Sequence, residues 1–315
     1  MDSGGTAIEF PDGMRRTHEA RGEAGRAWLA SLPGTVESLC AQWTLTPGAA
    51  YDGGKGALVL AVTTADGAAA VLKLDVPRPG VAEQIRTLMA ADGHGYVRLY
   101  AQDERRAATL MEPLGAMLLT DSTSVEEALD ISVATLREAW RVPRLDGVTV
   151  EPGTDKASEL LESLYDMFPG ERPCSDRVIE VAHDYAVRRR DAFDLDSCVV
   201  CHGDPHPANL LRVPRPRAGA PAGYVFVDPD GFLCHPSYDL GVVIRAWTAQ
   251  VLAASDPVAL VRGYADRLSA ATGIDAQAIW EWGYLERVSS GLFLIKSGHH
   301  AEGRDFLASA ERLIA

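Results

Sequence analysis

Nowhere in the 315 residues is there an uninterrupted apolar run of the length that a membrane-spanning helix needs. Basic residues are scarce: 30 Lys and Arg stand against 44 Asp and Glu, a net charge of −14. Phosphate backbones demand clustered cations, so nucleic acid is not an expected partner. The acidity suits a cationic small substrate, or simply a chain kept soluble by its charge, which is the blander reading. Residues 1–16 hold no apolar core of a secretory signal, and a cytoplasmic protein is expected. There are only five cysteines, an odd number that argues for free thiols. Cys198-Val199-Val200-Cys201-His202 matches a haem-attachment pattern formally, but it lies in a strand-like apolar run. No second Cys/His pair stands at zinc-ligand spacing, so neither haem nor zinc is expected. No internal repeat is evident.

What is present suffices for a large core. Hydrophobic residues make up 47% of the chain and charged residues 23%, ordinary values for a globular protein with room for two lobes. Residues 28–45 read as helix with a break at Pro33-Gly34. Residues 57–63 and 69–74 read as strands joined by an Asp66-Gly67 hairpin turn. Val81, Ile85, Leu88 and Met89 recur at helical spacing, and short strands are expected at 96–101 and 107–111. From residue 125 onward the pattern is mainly helical, at 128–140, 157–168, 176–193, 238–252, 257–271 and 275–296. Residues 213–223, rich in Pro, Gly and Ala, read as a loop between two strands.

One constellation points to chemistry. His202-Gly203-Asp204-Pro205-His206-Pro207-Ala208-Asn209 follows an apolar run, and a second run, 224–227, delivers Asp228-Pro229-Asp230-Gly231. Phosphoryl transfer needs a carboxylate to orient a hydroxyl and accept its proton, plus hard oxygen ligands for Mg²⁺. Asp204 supplies the first, and Asn209 and Asp228 the second, in the order and spacing of kinases. Pro205 and Pro207 keep this stretch a loop that can turn both side chains the same way. A chance turn accounts for His-Gly-Asp alone, but not for Asn209 and Asp228 in register with it.

The nucleotide side is fainter. Lys73 closes the second hairpin strand, where a lysine reaches the α/β-phosphates of ATP; a solvated edge charge is the alternative. Glu83 is the candidate partner of Lys73, although it lies off the apolar face set by Val81, Ile85 and Leu88, where a solvated Glu would sit. Gly53, Gly54 and Gly56 flank Lys55 before the first strand and offer backbone N–H groups to phosphate, or form a plain turn. They make neither a Walker A motif nor G-x-G-x-x-G. Residues 111–115 read as a hinge, with backbone groups around Glu112 to Leu114 available to adenine.

These residues resemble the aminoglycoside phosphotransferase group, and the first half is similar to streptomycin 6-phosphotransferases and hydroxyurea kinases. The matching pieces are Phe10-Pro11-Asp12-Gly13, the segments 25–33 and 70–74, Val97-Arg98-Leu99 and Leu110-Met111-Glu112. The resemblance thins after Gly241, and Pro-His-Pro between Asp204 and Asn209 departs from the streptomycin enzymes. It implies an α+β, protein-kinase-like bilobal fold, with an N-lobe at 1–115 and a helical C-lobe at 116–315. It implies Asp204 as catalytic base, Asn209 and Asp228 as Mg²⁺ ligands and Lys73 as phosphate anchor. His202 would brace the loop, and Asp239 would cap the following helix and support the loop.

The expected activity is ATP-dependent O-phosphorylation of a small molecule, foremost an aminoglycoside, by a monomer or homodimer that meets neither nucleic acid nor membrane. Asp230, Glu281 and Glu286 are candidates to contact a cationic acceptor, or are acidic for solubility alone. The alternatives are a metabolic kinase for hydroxyurea, a sugar or an amino alcohol, and an inactive nucleotide-binding regulator.

Overall fold

The computed structural model describes residues 9–52, 56–120, 124–144, 150–151, 153–168, 170 and 172–314. The chain divides into two compact units: Met1–Gly93 with Val97–Leu114, and His94–Tyr96 with Gly115–Ala315.

In the first unit, helices α1 (Asp12–Ala20) and α2 (Gly22–Trp43) precede strands β1 (Thr46–Ala50), β2 (Ala57–Thr63) and β3 (Ala69–Asp75). Helix α3 (Val81–Ala91) and strands β4 (Leu99–Asp103) and β5 (Ala108–Met111) complete it. The sheet is antiparallel, in the order β1-β2-β3-β5-β4. Leu58, Leu60 and Val62 alternate inward along β2, as the period of two requires. They meet Leu72 and Leu74 of β3 and Leu32, Val36 and Leu39 of α2 in one core. The Asp66-Gly67 turn is where the sequence places it, with Gly67 at φ +82°.

Two expectations fail here, the break in α2 and the strand from residue 96. Helix α2 runs unbroken through Pro33, whose ring sits on the exposed side. Burying Leu32, Val36 and Leu39 is worth about 1.5–3 kcal/mol each, together more than the ~3 kcal/mol an interior proline costs. Thr46–Ala50 forms a strand despite its Pro47-Gly48, because β1 is an edge where a missing N–H is tolerated. The strand expected from residue 96 starts only at Leu99, and Tyr96 belongs to the second unit, bridged to Phe226.

The second unit is helical around two small ribbons. Helices α4 (Val125–Ala139), α5 (Lys156–Asp166) and α6 (Asp176–Asp191) come first, each N-capped by the side chain of Ser124, Asp155 or Ser175. Then β6 (Val199–Cys201), β7 (Leu210–Arg212), β8 (Tyr224–Phe226) and β9 (Phe232–Cys234) pair as β6–β9 and β7–β8, both antiparallel. Helices α7 (Ser237–Arg245), α8 (Thr248–Ala253), α9 (Pro257–Thr272), α10 (Ala276–Lys296) and α11 (His300–Arg312) follow. The single helix expected at 238–252 is two, broken at Ala246-Trp247. Helix α10 is buried on nearly every side and packs against α6, α7, α9 and α11. At Gly241 a Cβ would lie 2.5 Å from Trp282 Cβ and 2.7 Å from Gly283 N, so the missing side chain lets α7 touch the α10 backbone. Helices α1 and α11 escape sequence reading because few of their positions are buried. All five cysteines are free thiols. Among the described residues no helix is long and apolar enough to cross a membrane.

Candidate active site

The site of the second unit begins where β6 ends. Strand β6 delivers His202 and Gly203 into a turn that a buried carboxylate organises. Asp239, fully buried in the first turn of α7, accepts the His202 N–H on Oδ2 and the Gly203 N–H on Oδ1, both at 2.9 Å. Its Oδ2 also accepts the Trp140 indole N–H at 2.8 Å. Burial pushes the Asp239 carboxyl upward, and these donors counter it by favouring the ionised form.

His202 is wholly buried, and burial lowers its pKa to about 4. The neutral ring donates from Nε2 to Val227 O at 2.9 Å and accepts the Asp204 N–H on Nδ1 at 3.1 Å, the tautomer this network requires. It stacks on Tyr96 and meets the edge of Phe226. Gly203 takes φ +91°, and a Cβ there would fall 2.6 Å from Asp230 Oδ2 and 2.8 Å from the Phe232 ring. Only glycine fits that position.

The loop then folds on itself. His206 N–H donates to Asp204 O at 2.8 Å, and Asn209 Nδ2 donates to the same oxygen at 3.0 Å. This turns the Asn209 amide so that Oδ1 has no hydrogen-bond partner among the described residues. Val227 N–H donates to Asn209 O at 3.0 Å, which brings Asp228 beside Asn209. Asp228 is exposed and adopts the left-handed φ of +58°, a conformation that costs a non-glycine residue about 1–3 kcal/mol. The donors gathered there, an amide oxygen and a carboxylate, are the hard oxygens that Mg²⁺ prefers. The residues present therefore fit that ion.

Asp204 is held from both sides. Arg245 Nη2 lies 2.6 Å from Oδ1 and His206 Nε2 lies 3.3 Å from Oδ2, and the side chain remains 41% exposed. Burial alone would raise its pKa. The Arg245 charge and the His206 hydrogen bond outweigh that and hold the carboxyl well below the usual carboxylate range. Sequence reading missed Arg245. Its signal was an arginine inside the apolar run 240–247, since an arginine buried there must find a counter-charge.

The acidic residues expected to meet an acceptor are mostly engaged elsewhere. Glu281 is buried and pairs with Arg188 and Arg189, each at 2.7 Å. Glu286 is buried, accepts Tyr238 Oη–H at 2.6 Å and pairs with Arg245 at 3.2 Å. Both pair with arginines of neighbouring helices instead, because α10 lies in the core. Asp230 is exposed, beside Gly203.

In the first unit, Lys73 is buried on β3 with Nζ 2.8 Å from Asp75 Oδ2. The expected Lys73–Glu83 pair does not form. The Glu83 side chain is half-exposed and its ion pair is with Arg86, at 4.0 Å, because the apolar face of α3 turns Glu83 outward. Glu112 is buried, accepts the Arg98 N–H on its carboxylate at 2.9 Å and donates its own N–H to Arg98 O at 3.0 Å. Pro113 has no N–H, and the Leu114 N–H has no partner among the described residues. Gly53 and Gly54 lie outside the described residues, and a Cβ on Gly56 would meet open space.

Residues 42–298 match the model of the aminoglycoside/hydroxyurea antibiotic resistance kinase family. The chain is 29% identical to the streptomycin 6-kinase of Streptomyces glaucescens over 296 residues, 93% of each protein. It is 28% identical to the hydroxyurea phosphotransferase of Kitasatospora aureofaciens over 98% of this chain and 87% of that one. Among solved structures, the choline kinase of Streptococcus pneumoniae superimposes with a TM-score of 0.60 at 15% identity, covering 90% of this chain and 97% of that one. This is the protein-kinase-like fold.

Proposed function

The chain belongs to the aminoglycoside/hydroxyurea antibiotic resistance kinase family, and on that premise we propose that it transfers the γ-phosphoryl group of ATP to a hydroxyl of a streptomycin-type aminocyclitol. The streptomycin 6-kinase relatives, near full length, support this acceptor class. We place nucleotide-binding groups in residues 1–115, acceptor and metal groups in 116–315, and the reaction in the cytoplasm.

The adenine edge takes the Leu114 N–H, which has no partner among the described residues, and the Glu112 carbonyl, while the Glu112 side chain keeps that backbone in place. Lys73 neutralises phosphate charge, its ammonium oriented by Asp75. The acceptor hydroxyl donates to the Asp204 carboxylate. As its oxygen bonds to the γ-phosphorus and the bond to the ADP oxygen breaks, the hydroxyl proton passes to Asp204. In a loose transition state the acceptor oxygen sheds its proton late, so a carboxylate of low pKa serves, and orientation matters more than basicity. Asn209 Oδ1 and the Asp228 carboxylate would hold a Mg²⁺, which supplies charge neutralisation on the phosphates.

The observation that carries this reading is the loop 202–209. It presents the Asp204 carboxylate, ties Asn209 to the Asp204 backbone, and bonds to the residue before Asp228. The test is ADP release with ATP, Mg²⁺ and a panel of streptomycin, other aminoglycosides, hydroxyurea and amino sugars. Streptomycin should support turnover, and Asp204→Ala should lower kcat by about 10²–10⁴ with ATP affinity nearly unchanged. Near-native turnover in that variant defeats the assignment.

A second reading is phosphorylation of hydroxyurea. The 28% identical relative supports it, as does the engagement of Glu281 and Glu286 with arginines, which removes two carboxylates from a cationic acceptor's reach. The same panel separates the two.

A further inference from the structure

We propose that Arg245 is a positioning residue that aims the Asp204 carboxylate at the acceptor hydroxyl, and that Glu286 and Ser290 on α10 fix Arg245 for that purpose. This rests on the reading of Asp204 given above.

Arg245 ends α7 at the point where the expected long helix breaks. Its side chain is 13% exposed, and both terminal nitrogens are committed. Nη2 reaches Asp204 Oδ1 at 2.6 Å, while Nη1 takes Glu286 Oε2 at 3.2 Å and Ser290 Oγ at 2.9 Å. Glu286 is in turn fixed by the Tyr238 hydroxyl at 2.6 Å. One guanidinium thus joins the catalytic loop to the central helix through planar, charge-assisted bonds.

The effect on Asp204 is geometric. Arg245 occupies Oδ1, and His206 approaches Oδ2 at 3.3 Å. His206 is half-buried, with Nδ1 taken by the Ala208 N–H at 3.2 Å. A carboxylate oxygen keeps more than one acceptor direction, so Oδ2 can still receive a hydroxyl while Oδ1 stops the group from rotating. Arg245 itself is anchored by the close approach of α7 to α10 at Gly241 and Gly283, where a Cβ on Gly283 would meet Ile244 at 2.6 Å. An acceptor contact alone would not call for a second carboxylate behind the arginine. A purely structural ion pair would not require its far end to be the partly exposed Asp204.

The test is a double-mutant cycle in the full chain, with ATP, Mg²⁺ and the acceptor that gives turnover. Arg245→Ala should lower kcat by about 10²-fold and leave the KM for ATP within about threefold, as a misplaced reacting group does. Arg245→Lys should recover part of the loss, since it keeps one contact and loses the fork. In an Asp204→Asn background, the further loss from Arg245→Ala should shrink to under about threefold, because residues that act through one another are not additive. An equal loss in both backgrounds would overturn the inference and leave Asp204 as read. Near-native turnover of Asp204→Asn alone would overturn both. Because Arg245→Ala strands Glu286, the pair Arg245→Ala/Glu286→Gln is measured too. A folded double variant that stays about 10²-fold slow supports positioning, whereas one restored to near-native turnover overturns it.

Discussion

The indole N–H of Trp140 donates to Asp239 Oδ2 at 2.8 Å, tying the end of α4 to the start of α7 beneath the loop that carries Asp204. Asp239 serves the Trp140 indole and the backbone N–H groups of His202 and Gly203, each of which would be stranded by its loss. A buried donor left without a partner costs about 1–3 kcal/mol. Asp239→Ala should therefore destabilise the protein by about 3 kcal/mol or more, lowering Tm by about 6–12 °C. Trp140→Phe strands nothing on the carboxylate that the two backbone N–H groups do not still satisfy, and should cost about 1–2 kcal/mol. Thermal unfolding of both variants checks the ranking.

His202 makes stability depend on pH. Its folded pKa, about 4, lies below the unfolded value of 6.5, so between those values the unfolded chain binds more protons than the native one. Stability therefore rises with pH through this window, and is lost as pH falls from about 6.5 toward 4. The full effect is on the order of 3 kcal/mol for a ring buried this completely. Urea unfolding of the native protein at intervals between pH 4.5 and 7 should show that slope. His202→Asn should be less stable at pH 7 and show a flatter dependence; an unchanged slope would remove His202 as its source.

Lys73 carries the prediction for the first unit. Its Nζ sits 2.8 Å from Asp75 Oδ2 in a nearly dry setting, so replacing it with Met keeps the buried stem and deletes the charge. Lys73→Met should raise the KM for ATP about tenfold or more and lower kcat, while the KM for the acceptor changes little. Initial rates with each substrate varied in turn make the comparison. A Lys73→Met protein with unchanged ATP kinetics would return this residue to a structural role.

The parts of the site readable in the sequence are those whose partners are close in the chain. Asp204 and Asn209 meet through five residues of loop, and the Asp66-Gly67 turn specifies its own hairpin. The unreadable parts depend on distant partners. Arg245 looks like one polar residue in an apolar helix until α10 supplies Glu286, 41 residues later. Glu83 was paired with Lys73 by position in the order of elements, but two residues beyond Lys73 stood Asp75. The break expected at Pro33 follows from local preference, since an interior proline removes a hydrogen bond. Burial of Leu32, Val36 and Leu39 on the same helix outweighs it.

Gly241 links this packing to turnover. A methyl group there would press on Trp282 Cβ and on the Gly283 backbone, neither of which can swing aside, so α7 must move away from α10. Overpacking of this kind costs about 1–3 kcal/mol. Gly241 and Arg245 lie one turn apart on α7, on the same face, so the shift carries Arg245 with it and slackens its hold on Asp204. Gly241→Ala should therefore lose turnover out of proportion to stability when measured well below its Tm, with KM for ATP little changed. Gly34→Ala is the matched control: it lies exposed in α2 with nothing near its Cβ direction, and should add about 0.4–1 kcal/mol of stability with kcat unchanged. Equal turnover in the two variants would mean that the α7–α10 contact holds the fold together without setting the catalytic geometry.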